Sequence, residues 1–423
     1  MHENYVGLVK PNIDKSSPTS QLFSEAGPGQ YSFNGEKLVG ASDLIYSGGA
    51  LATDGKLPDH EHADAANWET VPVRIYIRRA LDNFVDLLAR GGPGSFEDLS
   101  SRIFSQQWDA LERMQIRSAI GAATGIICKV DGRTSGTVFT VKDGYGHAGT
   151  DPLMHLEPGM AIAWIDTSNS NAVGGASRIA SIDYSAASIT IDSASKWEPG
   201  TDMPAAGDLI VFCTTPDTTK DYFTTEYNRQ KNGILTIVDP DDELTTVFNI
   251  SQSDYPRWKP YKEISTKFDH IELTEHWSKG QAKSTSPMNA TTHTCIANGA
   301  VLAELARTLV GFQQQTQLGR TFRGGYQAVQ IAGIDFVKDD WFLHDVVMTL
   351  SHEDLFNVDL GGGADYMSED GSMYSRLADF DGREWYIAEY CNSFSDRRNR
   401  HFALGGISLP NVSATDFSPS PNY

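Results

Sequence analysis

The sequence predicts an α+β protein that is rich in β-strands, and three observations support this prediction. Residues 95–120 carry the longest uninterrupted helical pattern in the chain. Residues 126–213 contain six short strand patterns and no helical one. The chain of 423 residues also has 38 glycines and few long periodic segments, as expected for strands joined by turns. Its length predicts about two to four domains, or one domain with large insertions.

The segment at 95–120 is predicted to be an amphipathic helix. Ser95 stands at the N-cap position and Asp98 follows three residues later, a variant of the capping box. At 1.5 Å per residue the helix would be roughly 39 Å long, so we expect it to lie across a broad surface. Its apolar face comprises Phe96, Leu99, Ile103, Phe104, Trp108, Leu111 and Met114.

The chain before this helix is predicted to be largely extended. Residues 1–29 are rich in Ser, Pro, Gly and Asn, which predicts an arm that is disordered or lies on a neighbouring subunit. Residues 31–44 and 71–77 are predicted to pair as the two sides of a long β-ribbon, with 47–69 at its tip. Because an isolated ribbon is only marginally stable, we expect it to pack on another copy of the chain.

Two further helices are predicted from their apolar faces, at 78–90 (RRALDNFVDLLAR) and at 298–312 (NGAVLAELARTLVGF). The apolar runs GILTIV (233–238) and TTVFNI (245–250) are predicted to be strands. Further strand patterns occur at 328–339, 345–351, 383–390 and 401–409.

The six strands between 126 and 213 predict a small barrel or sandwich. Its first and last strands, at 126–130 and 209–213, are predicted to be neighbours. That pairing would bring the two ends of the module together, as an inserted domain requires.

Charge and composition exclude several functional classes. The net charge is −21, and no basic stripe is present to replace the counterions of DNA. Any DNA partner would therefore be enclosed without sequence-specific binding, and an anionic membrane is disfavoured too. No apolar run approaches the ~18 residues that span a bilayer. The four cysteines are more than 80 residues apart, which predicts buried thiols.

The sequence lacks the common motifs of catalytic and cofactor-binding sites. It has no phosphate-binding loop, no dinucleotide fingerprint and no G-x-S-x-G motif. His352-Glu353 begins like a zinc-protease motif, but Phe356 occupies the position of the second histidine. The sequence therefore predicts no catalytic residues, no cofactor and no enzymatic activity.

The best metal-like cluster is the acidic stretch 59–64, which contains His60 and His62. We favour a solvated loop tip, and the alternative is a divalent ion bridging two subunits. The acidic runs at 239–243 and 365–370 do not fit a calcium loop and are predicted to be solvated turns.

One basic cluster, Arg397, Arg398 and Arg400, lies in the predicted turn between the last two strands. These side chains could contact DNA phosphates or pair with acidic patches on other copies of the chain. The acidic net charge favours the second interpretation.

The order of elements resembles a known family. A ribbon ending in VPVRIYI (71–77) leads to a long helix that starts at SFED (95–98), and a β-rich insertion follows. Then come the helix ANGAVLAELARTLVGF (297–312), the strand pattern IAGIDFVKD (331–339) and VVMTLSHEDL (346–355). This order is similar to that of tailed-bacteriophage major capsid (coat) proteins of the Hong Kong 97 fold.

The resemblance implies a division of the chain into parts. These are an N-terminal arm (1–29), an extended β-ribbon loop (30–77), a peripheral domain with a spine helix (78–125), an inserted β-barrel domain (126–213), more of the peripheral domain (214–260), an axial domain (261–384), and the C-terminal strands and tail of the peripheral domain (385–423).

The resemblance also implies partners. The chain would assemble with itself into pentamers and hexamers of a virion shell, built in the host cytoplasm around DNA. A portal protein is implied, and a separate scaffolding protein is expected because arm-like sequence starts within the first residues. A decoration protein is left open.

Three other readings compete with this one. An encapsulin shell protein is shorter and lacks the barrel, and a phage tail or baseplate protein would not need the long helix. A β-rich carbohydrate-active enzyme would need a designated pair of carboxylates.

Overall fold

The computed structural model confirms a mixed α+β fold, with four α-helices and 24 strands in the residues it describes. The described residues are 17–27, 30–43, 65–82, 99–168, 172–192, 203–213, 225–265, 268–284, 288, 291–309, 318–321, 327–331, 333–360, 364–366, 375–376 and 381–407.

The helices are α1 (Leu99–Ile120), α2 (Ile234–Val238), α3 (His270–Ser284) and α4 (Gly299–Leu309). The strands up to residue 213 are β1 (Ser24–Glu25), β2 (Ser32–Asn34), β3 (Lys37–Asp43), β4 (Ala65–Thr70), β5 (Val73–Asp82), β6 (Ile126–Ser135), β7 (Val138–Lys142), β8 (Ala161–Asp166), β9 (Ala172–Asp183), β10 (Ser188–Ile191) and β11 (Leu209–Phe212).

The later strands are β12 (Thr246–Val247), β13 (Ile250–Ser251), β14 (Tyr261–Ile264), β15 (His293–Ala297), β16 (Leu318–Thr321), β17 (Gln327–Ile331), β18 (Ile334–Lys338), β19 (Val347–Ser351), β20 (Leu355–Asp359), β21 (Asp365–Tyr366), β22 (Ser375–Arg376), β23 (Gly382–Ser395) and β24 (Phe402–Gly405). No helix within the described ranges is long and apolar enough to cross a membrane.

The 14-residue strand β23 organises a six-stranded sheet. On one side it pairs with β5 along ten residues, from Val73 opposite Cys391 to Asp82 opposite Gly382. On the other side it pairs with β20, β21 and β22. The predicted helix at 78–90 is therefore wrong over 78–82, where the ten-residue ladder overrides local helix propensity. Residues 83–90 lie outside the described residues.

Helix α1 packs on one face of this sheet, as its apolar stripe predicts. Trp108 and Leu111 are buried in a cluster with Ile75, Ile387 and Cys391. The Trp108 indole nitrogen also donates a hydrogen bond of 2.9 Å to the hydroxyl of a tyrosine in β21. Burying such side chains is worth roughly 2–3 kcal/mol each, so this contact strongly stabilises the helix on the sheet.

The other predicted residues of the helix face differ in burial, and some of them lie outside the described residues. Ile103 is half-buried, and Phe104 stacks obliquely on Trp385 with a ring-centroid distance of 4.8 Å. Phe96 lies outside the described residues, as does the proposed cap at Ser95, and for Leu99 only the backbone is described.

A seven-stranded sheet, in the order β14-β24-β19-β15-β18-β17-β16, forms the second layer. Its hydrophobic core includes Phe336, Val347 and Phe402 from the sheet and Trp277 and Leu305 from α3 and α4. The predicted helix at 298–312 and the predicted strands at 328–339 and 345–351 are thus confirmed within the described residues.

The apolar run GILTIV at 233–238, predicted to be a strand, is the short helix α2. All five of its residues are buried in the central core. A continuous apolar run does not distinguish a buried helix from a buried strand by periodicity, which explains the wrong prediction. The run TTVFNI contributes instead to the two-stranded hairpin β12–β13.

The two strands that form the β-ribbon are not the predicted pair. Strand β3 pairs with β4, and Leu38 lies opposite Thr70. Residues 73–77 pair with β23 instead, because β5 belongs to the six-stranded sheet.

At the ribbon base, the Trp68 ring stacks on Phe394 with centroids 4.1 Å apart. A Cβ at Gly40 would lie 2.3 Å from that indole, so glycine is required for this packing. Residues 44–64 of the ribbon lie outside the described residues.

Part of the predicted arm packs on its own chain, which corrects the expectation for residues 1–29. The hydroxyl groups of Ser17 and Thr19 both donate to Asp339 Oδ2 at 2.5 Å, and all three residues are buried. Leu22 is buried in the central core, and β1 pairs in parallel with β20. The buried carboxylate holds this segment because it accepts two charge-assisted hydrogen bonds.

The six strands predicted between 126 and 213 are all present and close into a barrel, in the order β10-β7-β6-β11-β8-β9. The predicted pairing of its first and last strands is confirmed, since Ile210 lies opposite Cys128. The barrel has its own core, which includes Phe139, Trp164 and Ile189.

The predicted domain boundary at residue 384 lies inside β23. Strands from each side of this boundary pair with strands from the other side. β20 and β21, from the stretch 261–384, pair with β23. β24, from the stretch 385–423, pairs with β14 and β19 in the other sheet. Of the C-terminal strands assigned to the peripheral domain, β23 lies beneath α1, whereas β24 belongs to the other sheet. In the described part of 214–260, also assigned to that domain, strands β12 and β13 pair only with each other.

Replacing Trp108 by Asp is expected to destabilise the fold by ~3 kcal/mol or more, because it buries a carboxylate in the apolar contact between α1 and the sheet. Leu111→Asp should act in the same way. Chemical denaturation followed by circular dichroism measures the loss. The control is Gln106→Asp, which places a carboxylate on the exposed side of the same helix. Wild-type stability of Trp108→Asp would contradict the packing.

Candidate assembly site

The predicted arginine cluster forms a tight turn between β23 and β24, with a 3-10 turn at Arg398–Arg400. Arg398 is fully buried, and its Nε donates to the carbonyl oxygen of Ile237 at 2.6 Å. Its guanidinium lies 4.6 Å from the centre of the Trp258 ring, a cation–π contact. Burial lowers the pKa of Arg398 to about 9, although Asp239 and Asp242 oppose this shift.

The prediction that all three arginines present their charge at the surface is therefore wrong for Arg398. Its side chain stabilises the turn from within and is not available to DNA or to a second copy. Arg400 is half-buried and pairs with Asp354 at 2.9 Å and with Glu353 at 3.6 Å. Arg397 is half-buried as well.

His401 extends this buried polar network. Its Nδ1 accepts a hydrogen bond from the Ser351 backbone N–H at 3.2 Å, so its proton is on Nε2, 2.9 Å from the Ser395 hydroxyl oxygen. Burial lowers the pKa of His401 to about 3, and the ring is therefore neutral at ordinary pH. The cluster that looked like a binding site in the sequence is largely part of the folded core.

The connection between the barrel and the rest of the chain was not found from the sequence. It lies in the loop from β7 to β8, where Asp143 and Tyr145 have positive φ angles of 55° and 56°. Tyr145 is buried in the central core, outside the barrel, and its hydroxyl donates to the Trp341 carbonyl oxygen at 3.2 Å. His155 stacks on the Trp341 ring, with centroids 5.4 Å apart and planes 13° apart.

His147 of the same loop is held between two carboxylates. Its Nδ1 lies 2.6 Å from Asp241 Oδ2, and its Nε2 lies 3.0 Å from Asp345 Oδ1. Burial alone would lower the pKa of His147, but the two hydrogen-bonded carboxylates raise it to about 9. The imidazolium donates from both nitrogens and so ties the barrel loop to two separate segments of the body.

The end of α1 makes a third connection. Arg117 is buried and donates to Glu226 at 2.6 Å. Its guanidinium also lies 5.5 Å from the ring centre of Phe212, in the last barrel strand. The long helix and the barrel are therefore joined by a charged contact where the barrel begins and ends.

The predicted metal candidates His60 and His62 lie outside the described residues. Within the described ranges, no group of three or more His, Cys, Asp or Glu side chains is placed to hold a metal ion. The four cysteines are buried and free, as predicted, and burial raises their pKa values.

His147→Gln is expected to flatten the pH dependence of stability. The folded-state pKa of His147 is raised from 6.5 to about 9, so its contribution is complete below pH 6.5 and is lost as pH rises through about 9. That contribution is roughly 3 kcal/mol at most. The carboxylates facing it are Asp241 and Asp345, and the charges of Lys129 and Lys262 act on Asp241.

Calorimetric melting curves of both proteins at pH 7 and pH 10 measure this effect. The wild type should lose more stability than His147→Gln over that interval, because groups that titrate elsewhere affect both proteins equally. His352→Gln is the matched control, since that half-buried ring bonds only to hydroxyl and carbonyl oxygens among the described residues. Equal pH slopes for wild type and His147→Gln would contradict the charged bridge.

No protein-family model matches the chain, and no curated protein matches it in sequence. Solved structures match over most of its length. A chain of the cyanophage A-1(L) capsid asymmetric unit is 9% identical, with 92% of each chain covered and a TM-score of 0.50. A chain from the capsid of a native GTA particle is 6% identical, with 94% and 91% covered and a TM-score of 0.44.

A chain of the SrpI encapsulin complex from Synechococcus elongatus is 7% identical, with 95% and 92% covered and a TM-score of 0.43. At these identities a likeness concerns the fold alone, and only the cyanophage structure among these three reaches a TM-score of 0.5. The chain therefore has a fold similar to that of a cyanophage capsid chain.

Proposed function

We propose that the chain is the major capsid protein of a tailed double-stranded DNA bacteriophage and that it assembles into the icosahedral shell of the head. The observation that carries this proposal is the similarity of fold to the cyanophage capsid chain over 92% of both chains. The order of elements that resembles the Hong Kong 97 fold supports it independently, since that resemblance depends on the sequence alone.

The parts of the proposed tile follow from the fold. Helix α1 on the sheet of β5 and β23 would be the spine of the peripheral domain, and the seven-stranded sheet would be the axial domain. The barrel would be an inserted domain, held by His147 and Arg117. The ribbon of β3 and β4 would be the extended loop that reaches a neighbouring subunit, with its base fixed by Trp68.

The proposed role is structural and needs no catalytic site, and the comparisons indicate no enzyme family. The shell would enclose DNA without sequence-specific binding, because a net charge of −21 opposes adhesion to packaged DNA. Its partners would be further copies of the chain in pentamers and hexamers, a portal protein and a scaffolding protein. A phage shell would be part of the virion.

Electron microscopy of the purified protein over a concentration series tests the proposal. We expect closed shells or rings of five and six subunits, because a closed symmetric assembly requires self-complementary surfaces. Sedimentation of the same samples gives the assembled fraction. A monomer at every concentration, also in lysate from infected host cells, would contradict the proposal. Shells without a portal vertex or DNA in native particles would favour the encapsulin alternative.

A further inference from the structure

The ladder of β5 and β23 has two faces with different surroundings. Directly opposed residues of an antiparallel pair lie on the same face, and successive residues alternate between faces. Ile75 and Ile77 therefore lie beneath α1, together with Ile387. The opposite face carries the residues between them, which we call the Tyr–Arg face: Arg74, Tyr76, Arg78, Tyr386 and Tyr390.

Among the described residues, nothing shields the Tyr–Arg face from solvent. Tyr76 is 49% exposed, and the Arg78 side chain is 64% exposed. Further along the same face, Phe394 is covered by Trp68 of the ribbon base. No described element covers the face between Tyr390 and Arg78. This exposed part adjoins the part around Phe394, which the chain itself buries.

The side chains of this face are held in place. The hydroxyl groups of Tyr76 and Tyr390 lie 3.0 Å apart, and their rings meet edge to face with centroids 6.0 Å apart. Leu360, 42% exposed, lies beside them, since its N–H donates to the Tyr390 carbonyl oxygen at 2.9 Å. Rings fixed before contact lose little entropy when a partner covers them.

The charges of the described residues on this face are partly paired. Arg78 pairs with Glu384, while Arg74 forms no ion pair with any described residue. Asp365 of β21 lies at the far edge of the face, beyond β23 and opposite Ala388. A carboxylate of another molecule would therefore be able to pair with Arg74 beside the exposed Tyr76 ring.

This combination of side chains is typical of the centre of a protein–protein contact. Tyr and Arg are enriched in interface cores and among the residues that dominate binding energy. A solvated sheet face carries mainly polar residues, and a single exposed apolar side chain on it would need no explanation. Fixed tyrosines, an exposed leucine and an arginine that pairs with no described residue lie on one face and indicate a surface that another molecule covers.

We propose that the Tyr–Arg face is a contact surface between copies of this chain and that it takes an acidic segment of a second copy. Charge complementarity selects this occupant, because the chain has 55 acidic against 34 basic residues and its surface therefore offers many carboxylates to Arg74. The inference rests on the proposed self-assembly and adds the surface on which one contact is made.

Arg74→Glu is expected to raise the protein concentration needed for assembly by at least about tenfold, because the acidic segment would meet a like charge. Tyr76→Ser should weaken assembly in the same direction by removing the aromatic contact. The matched control is Arg133→Glu, which makes the same charge change at an exposed arginine of barrel strand β6. Circular dichroism and melting curves show whether each variant is folded.

A second measurement identifies the occupant. The photoreactive residue p-benzoylphenylalanine, placed at Tyr386, should crosslink chain to chain in assembled particles, and mass spectrometry should find the attachment point in an acidic segment. Arg74→Glu should abolish that crosslink at a protein concentration at which only the wild type assembles.

The outcomes separate the two proposals. A wild-type chain that never assembles overturns the proposed function and this inference with it. Shells of wild type and Arg74→Glu that form at the same concentration, without a crosslink from Tyr386, overturn the inference and leave the proposed function standing. A crosslink to a different protein overturns it as well.

Discussion

The ladder between β5 and β23 is the interaction on which the rest of the structure depends. It joins segments about 300 residues apart in the chain and supports the middle of helix α1 through Trp108 and Leu111. Gln107 of the helix is bonded to both strands, since it donates to the Ile77 carbonyl oxygen and accepts from the Trp385 indole. The helix, the two strands and the ribbon base thus share one set of contacts. Helix, sheet and ribbon base should therefore unfold as one unit.

Charged groups, and not apolar area alone, fix the barrel to the rest of the chain. His147 between two aspartates and Arg117 between Glu226 and Phe212 are directional contacts at separate positions. Two such contacts restrict rotation of the barrel, whereas a single apolar patch would permit it. Buried ion pairs cost desolvation and add orientation more reliably than stability. In the proposed shell, these contacts would set the position of the barrel on each subunit.

Elements with a strong local pattern were predictable from the sequence, and those set by distant contacts were not. Helix α1 and six barrel strands have clear periodicity and turn residues, and the structure contains them. Helix α3 was missed, although Asp269 caps it and Glu272 follows three residues later, a capping-box signal present in the sequence. The run at 78–82 became a strand because β23 pairs with it. Arg398 looked like a surface charge because the sequence contains no sign of the Trp258 ring that covers it.

Hydrogen–deuterium exchange read by mass spectrometry tests the central role of the ladder most directly. Peptides covering Val73–Asp82 and Gly382–Ser395 should be among the slowest to exchange and should lose protection together in mild denaturant, because each strand supplies the other's hydrogen bonds. Rapid exchange of Val73–Asp82 while Gly382–Ser395 stays protected would contradict the account, since the two segments would then not form one ladder.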